Sequence, residues 1–224
     1  MLGSQQIPPV MMAALIKFSP QETERLFRLL EVIIVRFQLI GAGRTGRLES
    51  ACARLARSIF KGDVTTASSA FKELKEVYPS DSEFQQAFTS KREASNQKAL
   101  YLLRALESEE RRLKKGVMAK ENEPGTLTVE HILPRKAGDE WSAVTKKDPT
   151  IVEECALRLG NMCLLTKVNR ELGRKPFSDK KPVYAKSDII LTSMLAQNSD
   201  WARPNIEQRQ AHMAKIAVSV WRFQ

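Results

Sequence analysis

The sequence predicts a mainly α chain, with a helical N-terminal part followed by a smaller α+β part. Three observations predict this. Apolar residues recur at helical spacing across residues 8–118. A polar segment with Pro124-Gly125 then interrupts the pattern over 119–126. Beyond it, residues 127–177 read as strand, loop, strand and short helix. The expected layout is a lead of 1–7, a helical domain of 8–118, a linker of 119–126 and a second domain of 127–224. Met-Leu-Gly-Ser at the start reads as an expression remnant, not a targeting segment.

The helical part begins with Pro8-Pro9 and the apolar run Val10–Phe18. Ser19 suits an N-cap, with Pro20 at the first helical position and Glu22 and Glu24 in the first turn. Leu26, Leu29, Leu30, Ile33, Ile34, Phe37 and Ile40 then mark one face, while Arg25, Arg28 and Arg36 fall mostly on others. The glycines from Gly41 to Gly46 make a turn. With no strand leading in and no Gly-Lys-Ser/Thr following, it is no phosphate loop. Further helices are expected over Leu48–Phe60, Thr65–Tyr78, from Asp81, and over 94–115, where Arg111, Arg112, Lys114 and Lys115 suit the negative helix end. Leu48, Cys52, Leu55 and Ile59 form a second core stripe.

In the second part, Thr128–Pro134 reads as the first strand and Leu159–Thr166 as the second. The connection between them, Arg135 to Arg158, holds Trp141 and a short helix over Pro149–Ala156. Thr166 suits the cap of a following short helix whose first turn contains Asn169. Helices near Ser187–Gln197 and over Pro204–Arg222 complete the chain. Trp201, Ile206, Ile216, Val220 and Trp221 are expected to pack them onto the strand pair.

Composition narrows the function. Apolar residues at 42% and charged residues at 28% exclude a disordered chain. No apolar run is long enough to span a bilayer, and a cytoplasmic location is expected. Cys52, Cys155 and Cys163 are odd in number and scattered, which argues against disulfides and structural zinc. His131 and His212 are too few for a histidine-rich metal site. The net charge is +10, and Lys167, Arg170, Arg174, Lys175, Lys180, Lys181 and Lys186 face only Glu171 and Asp179. Such a basic run points to a polyanionic partner, with a merely solvated basic face as the bland alternative.

Phosphodiester cleavage needs a base for water, neutralisation of charge on the phosphate, and stabilisation of the leaving oxygen. A neutral histidine suits the first task. A hard divalent cation on oxygen ligands suits the others. His131 and the two asparagines, Asn161 and Asn169, stand in an order that suits this chemistry. Glu130 precedes His131, but neighbours on a regular strand point to opposite faces. Either the backbone there is irregular, as Pro134 allows, or Glu130 is structural. Cys163 lies in an apolar run and His212 in the last helix, so neither is a candidate for catalysis.

Five ordered blocks carry a resemblance over residues 126–223. They are Val-Glu-His-Ile-Leu-Pro, Leu-Gly-Asn-x-x-Leu-Leu, x-x-Asn, Pro-Phe-x-x-Lys-Lys-x-x-Tyr-x-x-Ser and Trp-x-x-x-x-Ile-x-x-Arg. Together they resemble the C-terminal nuclease domain of GmrSD-type restriction endonucleases, of the His-Me finger (HNH) class. The preceding helical segment resembles the region in front of that nuclease. The resemblance implies a ββα-metal motif, with His131 as general base, Asn161 holding the loop that orients it, and Asn169 and Glu130 as ligands of Mg²⁺ or Mn²⁺. It implies DNA contacts from the basic run, with Lys180 in the family's Phe-x-x-Lys block. It also implies a phage-defence nuclease, a nickase acting on double-stranded DNA. The ParB-like NTPase domain that usually stands N-terminal in this family is not in the sequence. The helical part would dock on that domain or on a partner subunit. The alternative is a non-catalytic DNA-binding or partner-docking module of the same shape.

Overall fold

The computed structural model describes residues 6–40, 45–116, 127–166 and 172–223. Residues 41–44 of the glycine turn, the 119–126 linker, and the segment with Lys167, Asn169 and Arg170 lie outside them. The chain forms two compact units, residues 1–87 with 221–224, and residues 88–220.

The first unit is helical. It holds α1 (Pro8–Lys17), α2 (Pro20–Ile40), α3 (Thr45–Lys61), α4 (Ala67–Leu74) and most of α5 (Asp81–Thr89). Ser80 and Glu83 start α5 reciprocally: the Glu83 amide donates to Ser80 Oγ at 3.2 Å, and the Ser80 amide to Glu83 Oε2 at 2.9 Å. The α2 stripe from Leu26 to Ile34 and the α3 stripe of Leu48, Cys52, Leu55 and Ile59 are buried in one cluster with Val10, Ala13 and Ala14 of α1 and Ala67, Ala70 and Leu74 of α4. Arg36 departs from the outward placement expected of it. It is wholly buried, because each nitrogen of its guanidinium finds an acceptor. It donates to the Trp221 and Pro79 carbonyls and, at 2.6 Å, to Asp81. It also lies 4.6 Å from the Tyr78 ring centroid and 4.8 Å from that of Phe84. Trp221 meets Phe84 edge-on in the same core, so it does not join the strand pair as its sequence position suggested.

The second unit is built on two antiparallel strands, β1 (Leu127–His131) and β2 (Met162–Thr166). Their pairing runs from Leu127 opposite Thr166 to His131 opposite Met162. The connection between them contains a 3₁₀ turn (Asp139–Trp141), α7 (Ser142–Lys147), α8 (Ile151–Cys155) and a second 3₁₀ turn (Leu159–Asn161). Then follow α9 (Phe177–Ala185), α10 (Ile190–Ser193) with a 3₁₀ extension (Met194–Gln197), and α11 (Arg203–Val220). A long helix, α6 (Asn96–Lys115), covers both strands, and α11 packs on α6 and on the Leu159–Asn161 turn. The sequence grouped α6 with the helices before it, but its contacts lie within this unit.

Two local readings change. Leu159–Asn161 is a 3₁₀ turn ahead of β2, not the start of the strand. The helix α9 was not anticipated, because Lys180 occupies a core position and Pro182 sits inside it. The core joins Ile132, Leu133, Trp141, Cys163, Leu165, Phe177, Tyr184, Trp201 and Ile206. Four of the five β2 residues, Met162 to Leu165, are buried, as expected of a strand covered on both faces.

Candidate active site

The site is assembled where β1 ends. His131 is its last residue, and Pro134 soon follows. Past the strand the backbone has no neighbouring ladder to satisfy it, and two side chains take over.

Asn161 is the first. It is fully buried and satisfied at both ends of its amide. Its Oδ1 accepts from the Leu133 amide at 2.8 Å and from the Trp201 indole N–H at 2.9 Å. Its Nδ2 donates to the Leu133 carbonyl at 2.8 Å and the Ala156 carbonyl at 3.1 Å. The Asn161 carbonyl also accepts from the Ile132 amide at 2.9 Å. The turn that presents Asn161 is pressed onto α11. A Cβ at residue 160 would overlap the Ile206 carbonyl oxygen and lie 2.8 Å from Gln210 Cβ, so only glycine fits. Gln210 Oε1 accepts from the Gly160 amide at 3.1 Å. Arg209 donates to the Gly160 and Met162 carbonyls at 2.8 and 2.7 Å. Burial pushes Arg209 down to about 10, still charged at neutral pH.

Lys180 is the second. It is fully buried in α9, and its ammonium donates to Glu130 Oε1 at 2.7 Å and to the His131 and Ile132 carbonyls, both at 3.1 Å. These contacts use the three hydrogens of the ammonium. Lys180 therefore has no donor free for a DNA phosphate, contrary to the role expected of it.

The His131 ring is half-buried, and its Nε2 is buried with no hydrogen-bond partner among the described residues. Such an orphaned nitrogen costs about 1–3 kcal/mol and calls for an explanation, of which a catalytic role is one. Burial, then the charges of Arg135 and Lys180, push the ring down to about 4. At neutral pH it is uncharged and able to accept a proton. Glu130 lies in regular strand register opposite Cys163. Burial raises its carboxyl above the ordinary value, and Lys180 pulls in the other direction.

The remaining candidates are dispersed. Arg174 and Lys175 are exposed and Lys181 is half-buried. The Arg174 carbonyl accepts from the Trp141 indole N–H at 3.2 Å, which ties the connection between the strands to the basic segment. Lys167, Arg170 and Asn169 lie outside the described residues. Among the described residues, no three His, Cys, Asp or Glu side chains gather as a metal-binding group. These residues thus give His131 the environment of a base but do not by themselves build a cation pocket. Burial pushes the Cys163 thiol up to about 12, which leaves it inert as a nucleophile. His212 pairs with Glu110 at 3.2 Å.

Sequence reasoning missed Arg135, exposed and close enough to act on His131. It also missed the hydrogen bonding of Trp201, Arg209 and Gln210. The Trp-x-x-x-x-Ile-x-x-Arg block held a signal for two of them, Trp201 and Arg209, which reach Asn161 and its turn.

Residues 78–216, more than half of the chain, match the family described as GmrSD restriction endonucleases, C-terminal domain. The chain belongs to this family. The GmrSD C-terminal match takes in α5, α6 and the strand pair together, so these two helices ahead of β1 are part of the family's own region, while α1 to α4 lie outside the match. A GmrSD C-terminal domain is the domain of a restriction endonuclease, and the buried blocks around Asn161 all fall inside the match. A comparison with curated proteins gave no match. Among the described residues, no helix is long and apolar enough to cross a membrane.

Proposed function

We propose that this GmrSD C-terminal domain is a His-Me finger endonuclease that nicks double-stranded DNA, as the nuclease part of a cytoplasmic phage-restriction protein. The observation that carries the proposal is the uncharged His131 ring, its Nε2 buried and without a partner among the described residues, at a strand end whose backbone is held by Asn161 and Lys180. His131 accepts a proton from water. The water oxygen forms a bond to phosphorus, and the bond to the leaving 3′ oxygen breaks. Asn161 touches neither water nor DNA; it fixes the loop from which the ring projects. Arg174, Lys175 and Lys181, with Lys167 and Arg170, hold the DNA backbone, contacts that position the duplex without reading its sequence. Arg135 lies beside the reacting phosphate.

A divalent cation, Mg²⁺ or Mn²⁺, neutralises charge at the phosphate and the leaving oxygen when bound, and Asn169 is its proposed ligand. An amide oxygen favours such hard ions. One site cuts one strand, and recognition of any DNA modification, or gating by an NTPase-like domain or partner subunit, belongs to other parts of the system. The test is conversion of supercoiled plasmid to open circles with Mg²⁺, Mn²⁺ or EDTA. The expected result is metal-dependent nicking that His131→Ala abolishes while DNA affinity stays within a few-fold. Salt-sensitive binding without conversion in any metal favours the binding-module alternative.

A further inference from the structure

The backbone around His131 shows an economy that the expected roles of Glu130 and Lys180 do not explain. From the His131 carbonyl to the Leu133 carbonyl there are five polar groups: His131 O, Ile132 N, Ile132 O, Leu133 N and Leu133 O. Asn161 takes Ile132 N and both groups of Leu133. Lys180 takes the other two, the carbonyls of His131 and Ile132. The catalytic strand end is thus clamped from two sides by two residues, Asn161 through its side chain and its carbonyl and Lys180 through its ammonium. The lysine side is electrostatically complete only with Glu130, whose carboxylate balances an ammonium that has no solvent contact.

We infer that Lys180 is a positioning residue for His131, and that Glu130 is its buried counter-ion and not a metal ligand. The place of Lys180 in α9 supports this. Phe177, Lys180 and Tyr184 are the buried residues of that helix and recur at its core spacing. A lysine in that row is kept there by acceptors, not by solvent. Its ammonium stands 2.7 Å from Glu130 Oε1, so a cation at the same oxygen would compete with a charge already in place.

The inference rests on the nuclease reading only in its kinetic arm. The experiment compares wild type, Lys180→Met and Glu130→Gln by plasmid nicking across a Mg²⁺ titration, by DNA affinity, and by amide hydrogen exchange at Ile132 and Leu133. For Lys180→Met the turnover rate is expected to fall by about 100-fold, the scale of misplacing a reacting group by an ångström. Its DNA affinity and Mg²⁺ half-saturation are expected to stay unchanged, while exchange at Ile132 and Leu133 accelerates. Glu130→Gln keeps an oxygen for Lys180, so it is expected to lose less activity and leave the Mg²⁺ half-saturation in place. A rise of about tenfold or more in that half-saturation, the scale of a lost metal contact, would overturn the counter-ion role. Weakened DNA binding with unchanged turnover in Lys180→Met would overturn the positioning role. Should Lys180→Met not fold, Glu130→Gln decides by the same criterion. Should wild type not nick in any metal, the nuclease reading fails, and hydrogen exchange still decides the clamp: faster exchange supports it and unaltered exchange sinks it.

Discussion

His131 carries a ring nitrogen that is buried and, among the described residues, unpartnered, and its proton affinity is held down by burial and by two cations, Arg135 and Lys180. A phosphodiester bound there brings a negative charge that offsets those cations. The acid limb of kcat/KM, which reports the free enzyme, is therefore expected well below the ordinary histidine range, towards about 4. The limb of kcat, which reports the complex, is expected at higher pH. Nicking rates measured from acid to neutral pH check this; coincident limbs near the ordinary histidine value contradict it. The same ring affects stability. Its folded value lies below the unfolded one of about 6.5, so the unfolded chain binds the proton first. The contribution is nil above that pH, and stability is lost as pH falls from there towards about 4. This histidine stood out as a candidate in the sequence because Val-Glu-His-Ile-Leu-Pro and Leu-Gly-Asn stand in order. The role of Glu130 was left open there, since a strand neighbour on the opposite face finds its partner fifty positions away, in Lys180, and sequence spacing does not report such pairs.

The turn Leu159–Asn161 makes the site possible, and Gly160 makes the turn possible. A methyl group at residue 160 meets the backbone of α11, which cannot rotate away as a side chain would. Gly160→Ala is expected to destabilise the domain by about 1–3 kcal/mol and to reduce nicking through displacement of Asn161. Urea denaturation and plasmid conversion measure both effects; wild-type behaviour in both would contradict this account. Elements with a plain apolar period were readable from sequence, as α2 and α3 show, since their stripes are buried where the 3.6-residue repeat places them. The element α9 was not. Its core face includes Lys180, and a charged residue at a buried position reads as surface until its acceptors are known. The 3₁₀ turn before β2 was read as strand for a similar reason: its apolar leucine continues the strand's run, and only the contact with α11 marks the change.

At the scale of the molecule, the contacts divide the chain at 87/88 and return residues 221–224 to the first unit. The composition break at 119–126 led the sequence reading to divide there. A polar, proline-containing segment marks a change in local pattern, whereas a compact unit is defined by long-range packing, as α6 on the two strands illustrates. Trp221 is wholly buried against Phe84, and its carbonyl accepts from Arg36. Trp221→Ala is expected to cost the first unit about 3–5 kcal/mol. Hydrogen exchange in α2 and α5 reads this directly; unaltered protection there would contradict it. The order of synthesis adds a consequence. A ribosome delivers α1 to α5 early, but Trp221 emerges only after the whole of residues 88–220. At roughly 5–20 residues per second, the nascent first unit waits on the order of 10 s with the Arg36 guanidinium short of an acceptor. The strand pair and its histidine can therefore assemble while the unit made before them is still incomplete.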